Sequence, residues 1–432
     1  MAAINVWTLA SLWCSNNILN FYLYMRIVFI TPEFVTEDSY SGGLANYVFR
    51  VSKSLVNMGH KVHVIVQTQK KEEIICYHGV WVHRINVGAR KPWIKKIIRN
   101  FFYKLNSMLL FSFRAWREVN EINANKPIDI VQVSNLRACG LFSVFFFKSA
   151  PIVTRMSSYV KTLNAALNSK KSSYASFIEF VEICQIKNSN YIYSPSKLIA
   201  DVLNEKEGIK DVKVIRSPVY LEYEKLDDSL YYEKLKEKKY LLFVGSYRIH
   251  KGIHILGQAL PTVFSSIPEC EVVFIGKEVP TKDFPSMQAY IKEICKYHLN
   301  KLHFFDQMRH DVLYPIMKNA HLVVLPSLID NFPNALLESM MLGKVVIGTR
   351  NTSFDEVIED GKNGFLVNPG NPKELAEKII TAWRHPSLFE IALKSKETSM
   401  QFAPINTTTN LLKYYNNVIV DFNVEKRKSS LI

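Results

Sequence analysis

The sequence predicts two α/β domains in tandem, each built on a doubly wound parallel β-sheet with helices on both faces. In the first half of the chain, helix-length segments alternate with apolar runs of strand length at residues 27–30, 62–66, 128–133 and 152–154. After a charged stretch of poor periodicity, the alternation starts again with runs at 240–245, 271–276, 322–326 and 344–348. Open α/β sheets bind ligands in the crevice at the carboxyl ends of their strands. We therefore expect the functional site in the cleft between the two domains.

The domain boundaries follow from the same pattern, since 432 residues suit two domains. We expect a first domain at 25–218 and a second at 219–402. Residues 403–432 are expected to form a helix that returns toward the first domain, followed by a disordered basic tail. Residues 1–24 break the pattern and carry no basic residue before their apolar stretch, unlike a signal peptide. We expect them to be an extension outside the fold, with Met25 as the natural start.

The first predicted helix lies between the first two strands. Leu44, Val48, Val51 and Leu55 are spaced by four, three and four residues, which places them on one apolar face. Gly59 follows and is expected to end the helix. The result is a strand, helix, strand unit.

Composition narrows the class of protein. Hydrophobic residues make up 48% and charged residues 22%, which is too polar for a protein with many membrane spans. The formal net charge of +15 predicts attraction to anions such as nucleotides, phospholipid headgroups or nucleic acid. The six cysteines are scattered without a CxxC pair, so neither a disulfide framework nor a zinc site is indicated, and a reducing compartment fits best.

The strongest local signal is the run PSLIDNFPNALLESMMLG in the second domain. Pro333 suits the start of a helix, because its missing N–H would have no partner there. The N–H groups around Asn334 and Ala335 are then free to bind an anion at the positive helix end. Asp330 in the loop and Glu338 a turn into the helix are expected to face the same cleft. Taken alone, the run also fits a capped helix with a solvated glutamate.

Two further loops follow predicted strands. In GSYRIHKG, Lys251 suits the neutralisation of charge on a leaving diphosphate, although any surface loop can hold Arg and Lys. In SGGL, Gly42 and Gly43 open the first helix and permit close approach of a phosphate or sugar. A plain tight turn fits these two glycines equally well, and the dinucleotide fingerprint GxGxxG is absent from the sequence.

Together these motifs resemble the retaining glycosyltransferases of family 4, which have the GT-B fold of two Rossmann-like domains facing across a cleft. In that family two glutamates seven residues apart contact the donor, the first near the transferred sugar and the second at the ribose hydroxyls. The matching positions are Asp330, which is one methylene shorter, and Glu338. The resemblance also implies donor contacts by Asn331 and by the Phe332–Ala335 segment.

The same resemblance gives roles to the other loops. It implies that Lys251 acts on the diphosphate, whereas the arginine usual after the first glycine is replaced by Ser246. Arg248 is the candidate to supply that charge. Gly42 and Gly43 would face the diphosphate, and Gly276 would lie at the nucleotide base.

One departure concerns the sugar. The family often has a histidine in a Thr-x-His pattern after the fourth strand, where this chain has Thr154, Arg155 and Met156. A thioether cannot exchange a proton, so Arg155, Ser157 and Ser158 are the candidates for contacts with the sugar or acceptor.

The resemblance implies a hexosyltransferase that moves a hexose from a UDP- or GDP-sugar to a glycan or lipid-linked glycan with retention, in the synthesis of capsule, O-antigen or a similar surface polysaccharide. No carboxylate cluster suggests a metal, so we expect neither metal nor cofactor. The alternatives are a nucleotide-sugar epimerase, a nicotinamide-dependent dehydrogenase, and a non-catalytic nucleotide-sugar-binding subunit. The sequence leaves the oligomeric state open.

Residues 90–117 hold eight basic residues, no acidic one, and apolar residues at helical spacing. Such a helix can lie on an anionic membrane, or it can pack its apolar side on the first sheet; both interpretations are open. We expect a cytoplasmic protein, peripheral at the inner face of the plasma membrane. Nucleic-acid binding is not expected, because no recognisable module is present.

Overall fold

The computed structural model describes residues 24–38, 42–88, 100–157, 159, 173–221, 225–281 and 284–429. The expected extension at 1–24 therefore lies outside the described residues apart from Tyr24. The same holds for Ser158 and for residues 90–99 of the basic segment.

The strands are β1 (Arg26–Thr31), β2 (Lys61–Thr68), β3 (Ile74–Tyr77), β4 (Val80–Asn86), β5 (Ile130–Ser134), β6 (Ile152–Arg155), β7 (Tyr191–Ser194), β8 (Lys213–Val214), β9 (Tyr240–Val244), β10 (Glu271–Ile275), β11 (Leu302–Phe305), β12 (Leu322–Val324), β13 (Val346–Thr349) and β14 (Phe365–Val367). The helices are α1 (Gly43–Asn57), α2 (Asn100–Asn125), α3 (Leu141–Phe146), α4 (Ser173–Lys187), α5 (Lys197–Glu207), α6 (Ser229–Lys234), α7 (Ile253–Ser266), α8 (Met287–Ile294), α9 (His310–Asn319), α10 (Asn334–Met341), α11 (Pro372–Trp383), α12 (Leu388–Ser399) and α13 (Pro404–Ser429).

The first sheet has the strand order β3-β4-β2-β1-β5-β6-β7-β8. Within the described strands of this sheet, β3 and β4 pair antiparallel and the other neighbours pair parallel. All residues of β1 are buried, as expected for a central strand covered by helices on both faces. The short apolar runs of the sequence therefore predicted the central strands correctly, whereas the β3–β4 edge was not predicted.

The second sheet has the order β11-β10-β9-β12-β13-β14, with parallel neighbours throughout its described strands. The strand order reverses at β9, which pairs with β10 on one side and β12 on the other. At such a point the chain segments that follow the two adjacent strands run to opposite faces of the sheet, which opens a crevice at the carboxyl ends of the strands. The predicted architecture of two doubly wound sheets is confirmed.

Helix α1 forms as its apolar spacing predicts. Val48, Val51 and Leu55 are buried in the core of the first sheet. Gly59 follows the helix with a φ of 91°, a left-handed value that a glycine adopts without a steric penalty.

Helix α13 returns to the first domain. Leu411, Leu412 and Tyr415 join the core that α1 covers, and Tyr415 Oη donates a 2.5 Å hydrogen bond to Gln132 in β5. The expectation of a disordered basic tail was wrong for residues 426–428, which lie in the last turn of α13. Cations there complement the negative helix end. The domain boundaries at 218 and 402 stay a prediction.

Candidate functional site

A cavity of about 290 Å³ lies between the carboxyl edge of the second sheet and the start of α1. It contains most of the positions that the sequence assigned to a donor. Those that line it are Gly42, Gly43, Ser246, Lys251, Gly276, Asp330, Phe332, Pro333, Asn334, Ala335 and Glu338. Their contacts with a donor stay a prediction, but residues more than 280 positions apart in the chain meet at this place.

Two helix N-termini meet at the lining of the cavity. Helix α1 begins at Gly43 and α10 begins at Asn334; a Cβ atom built on Gly43 would lie 3.8 Å from Nδ2 of Asn334. The preceding residues, Gly42 and Pro333, have no side-chain acceptor for the first N–H groups of either helix. Both positive helix ends therefore point into one space, which favours an anion.

Two glycines allow close packing of the loops that follow β9, β10 and β12 beside the cavity. A Cβ atom on Gly276 would lie 1.9 Å from the carbonyl oxygen of Gly245, and one on Gly252 would lie 1.7 Å from that of Pro326. These distances exclude any side chain at either position. The backbones that follow β9, β10 and β12 therefore pack directly on one another, which fixes Ser246 and Lys251 beside the loop that carries Asp330.

Lys251 and Asp330 form an ion pair inside the second domain. Lys251 ends a turn after β9, and Asp330 lies in the loop after the neighbouring strand β12. The Nζ–Oδ2 distance is 2.5 Å, and the side chains are 28% and 11% exposed. Next to Lys251, burial and the lysine charge lower the pKa of His250 to about 4, so that its imidazole is neutral at pH 7.

Glu338 forms a second ion pair, and its partner comes from the other domain. Arg50 of α1 donates from Nη2 to Oε1 of Glu338 at 2.6 Å, with the side chains 1% and 4% exposed. His310 Nε2 lies 3.9 Å from the same oxygen. Arg50 was not predicted, because no local sequence pattern marks a residue whose partner is 288 positions away.

Asn331, assigned to the donor, reaches toward the first domain instead of lining the cavity. Its Nδ2 donates to the carbonyl oxygens of Met156 at 3.2 Å and Ser157 at 3.0 Å. Its Oδ1 accepts from Ser196 Oγ at 2.6 Å. The side chain therefore ties the acidic loop to the first domain.

The described candidates for sugar contacts, Arg155 and Ser157, do not line the cavity. Arg155 is 5% exposed and stacks on Tyr47 at 3.6 Å, and it donates to Ser157 and Ser217. Met156 is fully buried in an apolar cluster. Contacts of Arg155 and Ser157 with a sugar stay predictions, as does the assignment of Ser158 outside the described residues.

Arg248 lies exposed outside the cavity, while Ser246 lines it. The backbone N–H of Arg248 donates to the carbonyl oxygen of Ser246 at 2.8 Å, which tightens the loop. That Arg248 supplies the charge of the family's arginine at the diphosphate stays a prediction. Its side chain would have to turn toward the cavity, because it does not line it here.

Among the cavity residues that were not predicted are three with polar side chains on α1, after β10 and on α9. Asn46 lies three residues after Gly43 on the same face of α1, Lys277 directly follows Gly276, and His310 begins α9. Position relative to a strand end or helix start was the signal that could have identified each of them.

Two expected features concern metal and membrane. Among the described residues, no group of three or more His, Cys, Asp or Glu is arranged to hold a metal ion; metal independence stays a prediction. No helix in the described part of the chain is long and apolar enough to cross a membrane. Within residues 90–117, Phe111 and Ala115 pack in the apolar core on the first sheet, in agreement with the second interpretation. Contact of this segment with a membrane stays a prediction.

Two doubly wound α/β sheets, with a cleft between their domains, define the GT-B class of transferases. Residues 41–223 match the family described as Glycosyltransferase Family 4, and residues 231–397 match the Glycosyl transferases group 1 family. The chain therefore belongs to the group 1, family 4 glycosyltransferases, which makes it a retaining enzyme that uses a nucleotide sugar, in EC class 2.4. This assignment sets the epimerase and dehydrogenase alternatives aside.

Relatives and solved structures agree with this assignment. An uncharacterized glycosyltransferase of Methanocaldococcus jannaschii is 23% identical over 388 residues, which cover 83% of this chain and 90% of that protein. Sucrose-phosphate synthase from Thermosynechococcus elongatus superposes with a TM-score of 0.73 at 16% identity, covering 92% of this chain and all of that one. Anabaena HepE, solved with UDP and glucose, gives 0.66 at 16% identity, covering 91% of this chain and 100% of that one.

Proposed function

We propose that this enzyme transfers a hexose from UDP-hexose to a lipid-linked glycan acceptor at an anionic membrane surface, in the assembly of a surface polysaccharide. The observation that carries the proposal is the convergence of two helix N-termini and Lys251 on one cavity lined by both domains. A diphosphate has the charge and size that such a place favours.

In this proposal the diphosphate lies between the starts of α1 and α10, and Lys251 exchanges Asp330 for a phosphate oxygen. Asp330, once released, faces the hexose, and Glu338 faces the ribose. UDP is chosen over GDP because the HepE structure, of the same fold, holds UDP. GDP is the alternative that the binding experiment includes.

The proposed chemistry breaks the bond between the anomeric carbon and the phosphate oxygen and forms a bond from that carbon to the acceptor oxygen on the same face. The acceptor hydroxyl proton passes to the departing phosphate oxygen, so the products are the glycoside and protonated UDP. Negative charge grows on the phosphate in the transition state. Lys251 and the helix ends stabilise it there, where preorganised charges have their largest effect.

The acceptor side of the proposal is supported by an aromatic patch on α2 and α3. The patch consists of Phe113, Trp116, Phe142, Phe145 and Phe146, whose rings contact one another at 5.5–6.2 Å between centroids. Exposed Arg117 directly follows Trp116 and pairs with Glu121 at 3.8 Å, and exposed Lys148 lies two residues after Phe146. Aromatic rings flanked by cations suit the interface of an anionic bilayer.

Donor binding is tested by titration calorimetry of the purified enzyme with UDP, GDP and ADP. We expect UDP to bind in the absence of added metal and in the presence of EDTA. Slow hydrolysis of a UDP-hexose, measured as the release of UDP, reports cleavage of the donor in the absence of an acceptor. Binding of none of these nucleotides would refute the proposal, and tighter binding of GDP would correct the donor.

Membrane docking is tested by sedimentation with phosphatidylglycerol vesicles and with phosphatidylcholine vesicles. Replacing Phe145 and Phe146, which are 41% and 60% exposed, by serine should weaken binding to the anionic vesicles about tenfold or more. Phe389→Ser in the second domain is the matched control, because Phe389 is 74% exposed and distant from the patch in sequence. Equal binding by all variants would refute this assignment.

A further inference from the structure

We propose that Arg50, a first-domain residue, positions Glu338 for the ribose hydroxyls of the donor, so that recognition of the ribose depends on both domains. This inference rests on the proposed binding of a nucleoside diphosphate in the cavity. It adds a positioning residue that lies outside every motif of the second domain.

The position of Arg50 follows from the geometry of α1. Gly43, Asn46 and Arg50 are spaced by three and four residues, which places them on one face of the helix. Gly43 and Asn46 line the cavity, and Arg50 lies one turn deeper against Glu338. One face of α1 therefore borders the proposed diphosphate position at the N-terminus of the helix and contacts Glu338 one to two turns later.

The burial of the pair gives it a function beyond contact between domains. Glu338 is 4% exposed and still lines the cavity. Burying a charged carboxylate without a partner costs free energy, so the group would rotate toward water or take up a proton. Arg50 supplies the compensating charge from behind, at Oε1, and the proposal assigns Oε2 to the ligand. A charged, fixed carboxylate is the stronger acceptor for a ribose hydroxyl.

A purely structural ion pair would act on every ligand alike, so the test compares two probes that differ by one hydroxyl. Affinities for UDP and for 2′-deoxyuridine diphosphate are measured by calorimetry on the full chain. The wild type should prefer UDP by about tenfold or more, the contribution of one hydrogen bond to a charged group. In Arg50→Met the preference should fall close to one.

The matched control is Arg216→Met. Arg216 pairs with Glu356 at 2.6 Å and also joins the two domains, but neither residue lines the cavity. Because the side chains of this pair are 28% and 13% exposed, the variant should change the free energy of unfolding by less than about 1 kcal/mol and leave the preference for UDP unchanged. Arg50→Lys, which keeps a cation but not the planar fork, should retain an intermediate preference.

If Arg50→Met does not fold, a double variant tests the same proposal. Arg50→Met/Glu338→Gln removes both charges, and its preference should equal that of Glu338→Gln alone. If Arg50→Met weakens both probes equally, or if the wild type binds both equally, Arg50 has no part in ribose recognition although donor binding stands. If the wild type binds neither probe, the proposed function itself fails.

Discussion

The two ion pairs at the cavity differ in how far water reaches them. Lys251 and Asp330 are 28% and 11% exposed and belong to adjacent loops of one domain. Arg50 and Glu338 are 1% and 4% exposed and belong to different domains. A partly hydrated pair contributes little to stability and exchanges partners readily. A dry pair is costly to break, because each charge left behind is unsolvated. The first pair is therefore suited to ligand exchange, and the second to a fixed framework.

The largest expected effect is on the free energy of unfolding of Arg50→Met. Removing one partner of a buried pair costs about 3–5 kcal/mol, which urea denaturation would measure against the wild type. Arg50→Met/Glu338→Gln should recover most of this loss, because no buried charge remains. A loss below about 1 kcal/mol in the single variant would show that the pair behaves like the hydrated one.

Lys251→Ala should affect turnover far more than stability. We expect transfer to slow by about 100- to 1,000-fold, the effect of removing one preorganised group from a developing anion. The free energy of unfolding should change by less than about 1 kcal/mol. Lys277→Ala is the control, because Lys277 lines the same cavity but follows a different strand. Equal slowing in both variants would indicate a general field effect rather than a specific contact.

The smallest expected effect is a pH dependence that originates at His250, next to the hydrated pair. Burial first, and then the charge of Lys251, lowers its pKa from 6.5 to about 4. In the unfolded chain the His250 imidazole therefore takes up a proton near pH 6.5, whereas in the folded chain it takes up a proton only near pH 4. The contribution to stability is complete above pH 6.5 and is lost as the pH falls toward 4. His250→Gln should flatten the unfolding free energy across this window.

A second measurement separates the two causes of the low pKa of His250. In Lys251→Ala, the imidazole pKa followed by NMR should rise but stay below 6.5, because burial remains. A value unchanged by the substitution would show that Lys251 does not act on His250.

Local patterns predicted the central strands, α1, the loops that carry Lys251 and Asp330, and the helix start that precedes Glu338. They could do so because parallel strands are buried on both faces and read as short apolar runs. The loops after such strands gather at one edge of the sheet. The side chains of Asn331 and Arg155 could not be placed in this way. Each is held by partners far away in the sequence, Ser196 for one and Ser217 for the other.

The sequence by itself determined that two wound sheets form and that their strand ends carry a lysine, two carboxylates and a helix start, because these depend on periodicity and on neighbours in the chain. Only the tertiary structure decided that Glu338 is held by Arg50, that Asn331 joins the domains, and that Met156 is core. Those outcomes depend on how the two domains contact each other. Arg50 and Glu338 are 288 residues apart, so their pairing does not alter the hydrophobic periodicity of either domain.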